Sequence, residues 1–151
     1  MRKLVALFAF VSVQAYACPD LAGSYTCTDE EGKTESVTIK QEMKDGVTVY
    51  DYNGSSVPAD NVVYPVPDDE SLKETTFRAW CADNMLKAQI LSKYYSEGTY
   101  VADLELNLDF SKTEGGLKQV TTGALKNSGG EYPLNSEMNC VANAPASAPA
   151  Q

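Results

Sequence analysis

Four side chains in this sequence can do covalent chemistry on one another: Cys18, Cys27, Cys81 and Cys140. No histidine accompanies them. That removes Ser-His-Asp and Cys-His catalysis, His-ligated zinc and imidazole proton transfer together. An even number of thiols then reads as a framework of two disulfides. A carboxylate pair of the glycosidase kind is chemically open, but 21 acidic residues offer so many combinations that none is singled out. Asp51-Tyr52-Asn53-Gly54 has a calcium-loop flavour, yet the glycine stands fourth and no glutamate stands twelfth, so a hairpin turn is expected. No catalytic residue, metal ligand or cofactor is nominated, and the chain is expected not to be an enzyme.

Disulfides need an oxidising compartment, and the start of the chain supplies a route to one. Arg2 and Lys3 precede an apolar run from Leu4 to Val13, and small residues stand at Ala15 and Ala17. This is the layout of a secretory signal peptide over 1-17, with cleavage after Ala17. The run is shorter than the roughly 20 residues a membrane-spanning helix needs, so no transmembrane segment is expected and the destination is the periplasm or the outside medium. A lipoprotein anchored at Cys18 is the minority alternative. Ala15 and bulky Tyr16 fit a lipobox poorly, and acylating one thiol leaves an odd three.

Without the signal, ten basic residues face 21 acidic ones, a net charge of −11. Such a surface repels phosphate backbones, so nucleic acid is not an expected partner; a basic protein is. Solubility alone accounts for the charge equally well. The 134 residues after Ala17 make one domain, 18-141, expected to be a monomer. The stretch 142-151, rich in Ala and Pro, has too little apolar surface to offset its ordering entropy and is expected to be a disordered tail.

The elements that must position the cysteines read as strands. From Tyr100 to Phe110, Leu104, Leu106, Leu108 and Phe110 alternate with Asp103, Glu105, Asn107 and Asp109, the period of two of a half-buried strand. Further candidates are Ala22 to Thr28, Thr34 to Gln41, Val47 to Tyr52, a proline-interrupted piece from Ser55 to Tyr64, Lys73 to Cys81, Met85 to Tyr95, Leu117 to Leu125 and Ser136 to Val141. Between them stand the turn pairs Glu31-Gly32, Asp45-Gly46, Asn53-Gly54, Asp68-Asp69, Asp83-Asn84, Glu97-Gly98, Gly115-Gly116 and Gly129-Gly130, of which Asp-Gly and Asn-Gly suit two-residue hairpins. Ser71-Leu72-Lys73-Glu74 fits a helical capping box, but the alternation of Phe77, Ala79 and Cys81, then of Leu86, Ala88 and Ile90, points to two strands. The expected fold is all-β: an antiparallel up-and-down barrel of about eight strands, disulfide-bonded. Counting strand directions around such a barrel places Cys27 and Cys81 at one end and Cys140 beside Cys18 at the other. The expected bridges are therefore Cys18 with Cys140 and Cys27 with Cys81.

Gly23-Ser24-Tyr25 at the head of a hairpin meander resembles the opening of a lipocalin-like (calycin) barrel, with Tyr25 where that family carries Trp. The resemblance implies a small apolar ligand held inside, lined by Tyr25, Phe77, Leu104, Leu106, Leu108 and Phe110. The same side chains would fill the core of a solid barrel. Tyr25-Thr26-Cys27 followed by Gly32 is also similar to the opening of periplasmic C-type lysozyme inhibitors, which implies an acidic surface recognising a basic protein.

Overall fold

In the computed structural model, residues 18–144 are described. The expected signal peptide, 1–17, lies outside them, as does most of the expected tail. Ten strands follow one another with no helix between them: β1 (Gly23–Asp29), β2 (Thr34–Lys44), β3 (Val47–Tyr52), β4 (Ser55–Pro58), β5 (Tyr64–Pro65), β6 (Leu72–Ala82), β7 (Met85–Ser96), β8 (Thr99–Thr113), β9 (Gly116–Asn127) and β10 (Gly130–Ala142). All belong to one antiparallel sheet in the order β4-β3-β2-β1-β10-β9-β8-β7-β6-β5. The fold is all-β and hairpin-linked, as the alternation implies.

Local chemistry explains the hairpins. Asp45 and Gly46, Asn53 and Gly54, Asp83 and Asn84, and Glu97 and Gly98 form two-residue connections. Both positions of the first, second and fourth have φ between 49° and 88°, and those of the third 54° and 59°. These are the left-handed values that a turn matching the right-handed twist of its strands demands. The Asp51 segment is one of these turns: Gly54 N donates to Asp51 Oδ1 at 2.7 Å. In β6 the ladder slips between Lys73 and Thr76, where Glu74 takes φ 50°, so the capping-box sequence makes a β-bulge instead of a helix.

The first and last strands join and curl the sheet. β1 pairs with β10 from Tyr25↔Ala142 to Asp29↔Met138. The two outer strands, β4 and β5, share no ladder, so the curl keeps a seam that an eight-strand closed barrel would lack. Pro58 and Pro65 have no amide hydrogen to give there. The expected single piece from Ser55 to Tyr64 is thereby split into two short strands. Across the seam, Asn61 N donates to the Ala79 carbonyl at 2.7 Å.

The cysteine pairing differs from expectation: the bridges are Cys18–Cys81 and Cys27–Cys140. Two features missing from the strand count explain this. The last strand runs from Gly130 instead of Ser136, and its register sets Cys140 directly opposite Cys27, with a Cα–Cα distance of 3.8 Å. Residues 18–22 do not prolong β1. Leu21 is completely buried, and inward side chains grip the segment's backbone: Tyr25 Oη donates to the Leu21 carbonyl at 2.8 Å, Tyr50 Oη to the Pro19 carbonyl at 2.7 Å, and Leu21 N donates to Gln41 Oε1 at 3.0 Å. The segment therefore crosses one end of the curl, from β1 to β6, and delivers Cys18 to Cys81. Gly23 permits the bend, since a β-carbon there would stand 2.9 Å from the Tyr25 ring.

With its sulfur bonded to Cys81, Cys18 cannot carry a lipid thioether, and the lipoprotein alternative falls. Two disulfides indicate folding in an oxidising, extracytoplasmic environment. Among the described residues no helix is long and apolar enough to cross a membrane. The expected tail also starts too early: Ala142 pairs with Tyr25, and Asn143 N donates to the Ser24 carbonyl at 2.8 Å.

Candidate functional site: an apolar cavity inside the curled sheet

Inward-facing residues of β2, β3, β4, β6, β7, β8 and β9 line a half-open apolar cavity of about 280 Å³. Ile39 and the Tyr50-Tyr52 face of β3 form one wall, extended by Ser55 and Val57 of β4. Phe77 of β6 and Leu86, Ala88 and Ile90 of β7 form another. Leu108 and Phe110 of β8, with Gln119 of β9, complete it. The alternation of each strand puts these side chains inside, and the crossing segment 18–22 stoppers one end.

The long hairpins continue past the cavity. There Leu72, Tyr94, Leu104, Leu125 and Leu134 floor an open groove rimmed by Asp69, Glu70 and Ser71. Leu104, Leu106, Leu108 and Phe110 are successive inward positions of β8, so cavity and groove share one apolar track. The rim is an ordered turn: Asp69 Oδ1 accepts from Ser71 N and Leu72 N, both at 2.7 Å.

Close approach of the strands shapes the floor. Gly123 of β9 sits opposite Leu106, and a β-carbon there would lie 2.0 Å from the Glu105 carbonyl oxygen. Only glycine lets β8 and β9 meet so tightly.

Burial, then the negative charge of Asp20, pushes Tyr50 up to about 12. Burial likewise raises Tyr25, with Asp20 adding to it. Tyr52 is raised by burial first and Glu35 second. These phenols stay neutral. Tyr52 packs edge-on to Phe110 with ring centres 6.0 Å apart, and its hydroxyl makes no hydrogen bond among the described residues.

The raised Tyr50 value fixes an alkaline transition. Between pH 10 and about 12 the folded phenol keeps a proton that the unfolded one has lost. The unfolded state then binds fewer protons, so stability, fully present below 10, falls as pH rises through the window, by about 3 kcal/mol in all. Urea midpoints should be flat below about pH 10 and drop above it. Tyr50→Phe should remove much of that slope while costing about 1 kcal/mol at neutral pH through loss of the Pro19 bond. An unchanged slope in the variant would refute the assignment.

Of the six residues expected to line a ligand site, Phe77, Leu108 and Phe110 face the cavity. Leu104 faces the open groove. Leu106, half-buried, lies between them on β8. Tyr25 lines neither recess. It is buried at the stoppered end, its hydroxyl spent on Leu21. Sequence reasoning missed the β3 wall, Tyr50 and Tyr52, and the β7 wall, Leu86, Ala88 and Ile90. The alternation within Met85 to Tyr95 carried the second wall in plain view; the first needed the ladder between β2 and β3 to show which face turns inward.

The cations lie elsewhere. Lys87 with Asp109, Lys93 with Glu74, Lys118 with Glu137 and Lys126 with Glu105 form surface ion pairs at 2.7–3.3 Å, of little energetic weight when exposed. Arg78 lies 5.0 Å over the Trp80 ring and its Nε donates to Gln89 Oε1. Among the described residues no group of three or more Cys, Asp and Glu side chains is arranged to hold a metal ion.

Compared with protein-family models, curated proteins and solved structures, the chain matches none.

Proposed function

We propose that this protein is a non-enzymatic, secreted or periplasmic binding protein that carries a small apolar ligand inside its curled sheet, in the manner of the lipocalin-like barrels its opening resembles. The observation that supports the reading is the cavity itself. A solid core is close-packed and leaves few voids larger than a water molecule, whereas about 280 Å³ is nearly twice the void of about 150 Å³ that accommodates benzene. Water in a half-open apolar cavity of that size finds few hydrogen-bond partners, and an apolar guest that displaces it gains dispersion contacts along the lining. Titration of the disulfide-intact protein with naphthylamine, whose emission shifts in apolar surroundings, should give saturable uptake at one site per chain. Native mass spectrometry should show a retained guest after mild purification. No saturable uptake and no guest would overturn the reading.

The groove beyond the cavity favours a second reading, a protein-binding module that seats a basic partner against Asp69 and Glu70. That version places the contact on the Asp68 to Ser71 turn. A partner recovered from envelope extract should then be basic and lost at high salt, and charge reversal of Asp69 and Glu70 to Lys should abolish capture without disturbing naphthylamine uptake.

A further inference from the structure

The cavity lining contains no ionisable acid or base apart from its two tyrosines. No lysine or arginine is among the lining residues; four lysines are ion-paired to carboxylates on the sheet, and Arg78 is held between Trp80 and Gln89. The charges whose fields reach the inner phenols are negative, Asp20 at Tyr50 and Glu35 at Tyr52. An anionic head group drawn down among the inner side chains would lose its hydration and meet no counter-charge, which costs several kcal/mol for a buried ion.

Polar capacity is present all the same, and it is neutral. Gln119 stands opposite Phe110 in the ladder. Its Nε2 donates to Thr121 Oγ1 at 3.4 Å, and its Oε1 accepts nothing among the described residues. Across the same Phe110 ring stands Tyr52, its hydroxyl equally unengaged. One donor and one acceptor thus flank a single aromatic ring in a lining whose only other uncharged polar side chain besides the engaged Tyr50 is Ser55 of β4, the usual plan of a site that orients one polar group of an apolar guest.

We propose that the cavity selects uncharged apolar molecules of about a dozen non-hydrogen atoms bearing one hydroxyl or carbonyl group, held by Gln119 and Tyr52, and refuses the corresponding carboxylates. This rests on the ligand-carrying reading above and names its ligand class. The size follows from the volume, about two benzene equivalents; the polarity follows from Gln119 and Tyr52; the charge rule follows from the lining.

Displacement of bound naphthylamine by decanol, decanone and decanoate at pH 8 tests it, with all competitors below their aggregation limits. Decanol and decanone should displace the probe at concentrations at least tenfold lower than decanoate. Gln119→Leu should weaken decanol about tenfold while leaving naphthylamine uptake within a factor of two, and Gln119→Lys should improve decanoate relative to decanol. Equal or better displacement by decanoate in the unmodified protein would overturn the charge rule while leaving the carrier reading intact. An unaltered decanol response in Gln119→Leu would overturn the role of the amide. If naphthylamine itself does not bind, the carrier reading fails, and this inference with it.

Discussion

Replacing Cys27 and Cys140 together by alanine is expected to lower the unfolding free energy by about 5 kcal/mol. The bridge spans 113 residues, and in the chain-entropy account the cost of leaving that loop open grows with the logarithm of its length. It also crosses the ladder that joins the first strand to the last, the one junction in the curl made by strands far apart in sequence. The Cys18–Cys81 bridge spans 63 residues and should contribute about 4 kcal/mol on the same account. Small domains are stable by only about 5 to 15 kcal/mol in total, so the Cys27/Cys140 variant should sit near its folding threshold at body temperature. Urea unfolding of each double variant beside the intact protein measures both values. A loss under about 1 kcal/mol for the Cys27/Cys140 pair would show that β1 and β10 stay joined without it.

Ala88→Phe is expected to weaken naphthylamine binding at least 100-fold with no loss of stability. Ala88 lies mid-strand on β7, paired to Ala79 on one side and Leu108 on the other, and its methyl group faces the cavity. A phenyl ring placed there takes up about half of the space, since a cavity of about 150 Å³ accommodates benzene. What remains is too small for a second aromatic system. Inserting bulk into a packed core strains it, but here the space already exists, so the thermal midpoint should hold or rise. Filling without unfolding separates loss of the site from loss of the protein. Undiminished uptake by a stably folded variant would mean that the probe binds elsewhere, with the open groove at Leu104 and Leu134 the first place to look.

Much of the architecture is legible in the sequence. The leucines at 104, 106 and 108 alternate with acids and an amide because β8 has one face inside and one in water, and that pattern is written residue by residue. The turn pairs Asp45-Gly46, Asn53-Gly54, Asp83-Asn84 and Glu97-Gly98 are equally local, because positive φ at adjacent positions is tolerated by few residue types. Phe77, Leu108 and Phe110 could be placed on an inner face for the same reason. Tyr25 could not be placed correctly. Its inward direction was readable, but its hydroxyl is consumed by the Leu21 carbonyl, a contact that exists only because the chain turns back across the end of the curl.

The amino-acid sequence by itself determined the all-β character, most of the strands and turns, the two-bridge oxidation state and the lack of imidazole chemistry, since each depends on side chains within a few positions of one another or on a simple count. Tertiary structure alone decided which cysteines meet, where the sheet leaves its seam and whether the interior is hollow. Register brings Cys140 opposite Cys27, the inward path of residues 18–22 carries Cys18 to Cys81, and the cavity is left between strands whose inward side chains include only a methyl group at Ala88. All three are sums over contacts between residues far apart in the chain, and no local pattern encodes such a sum.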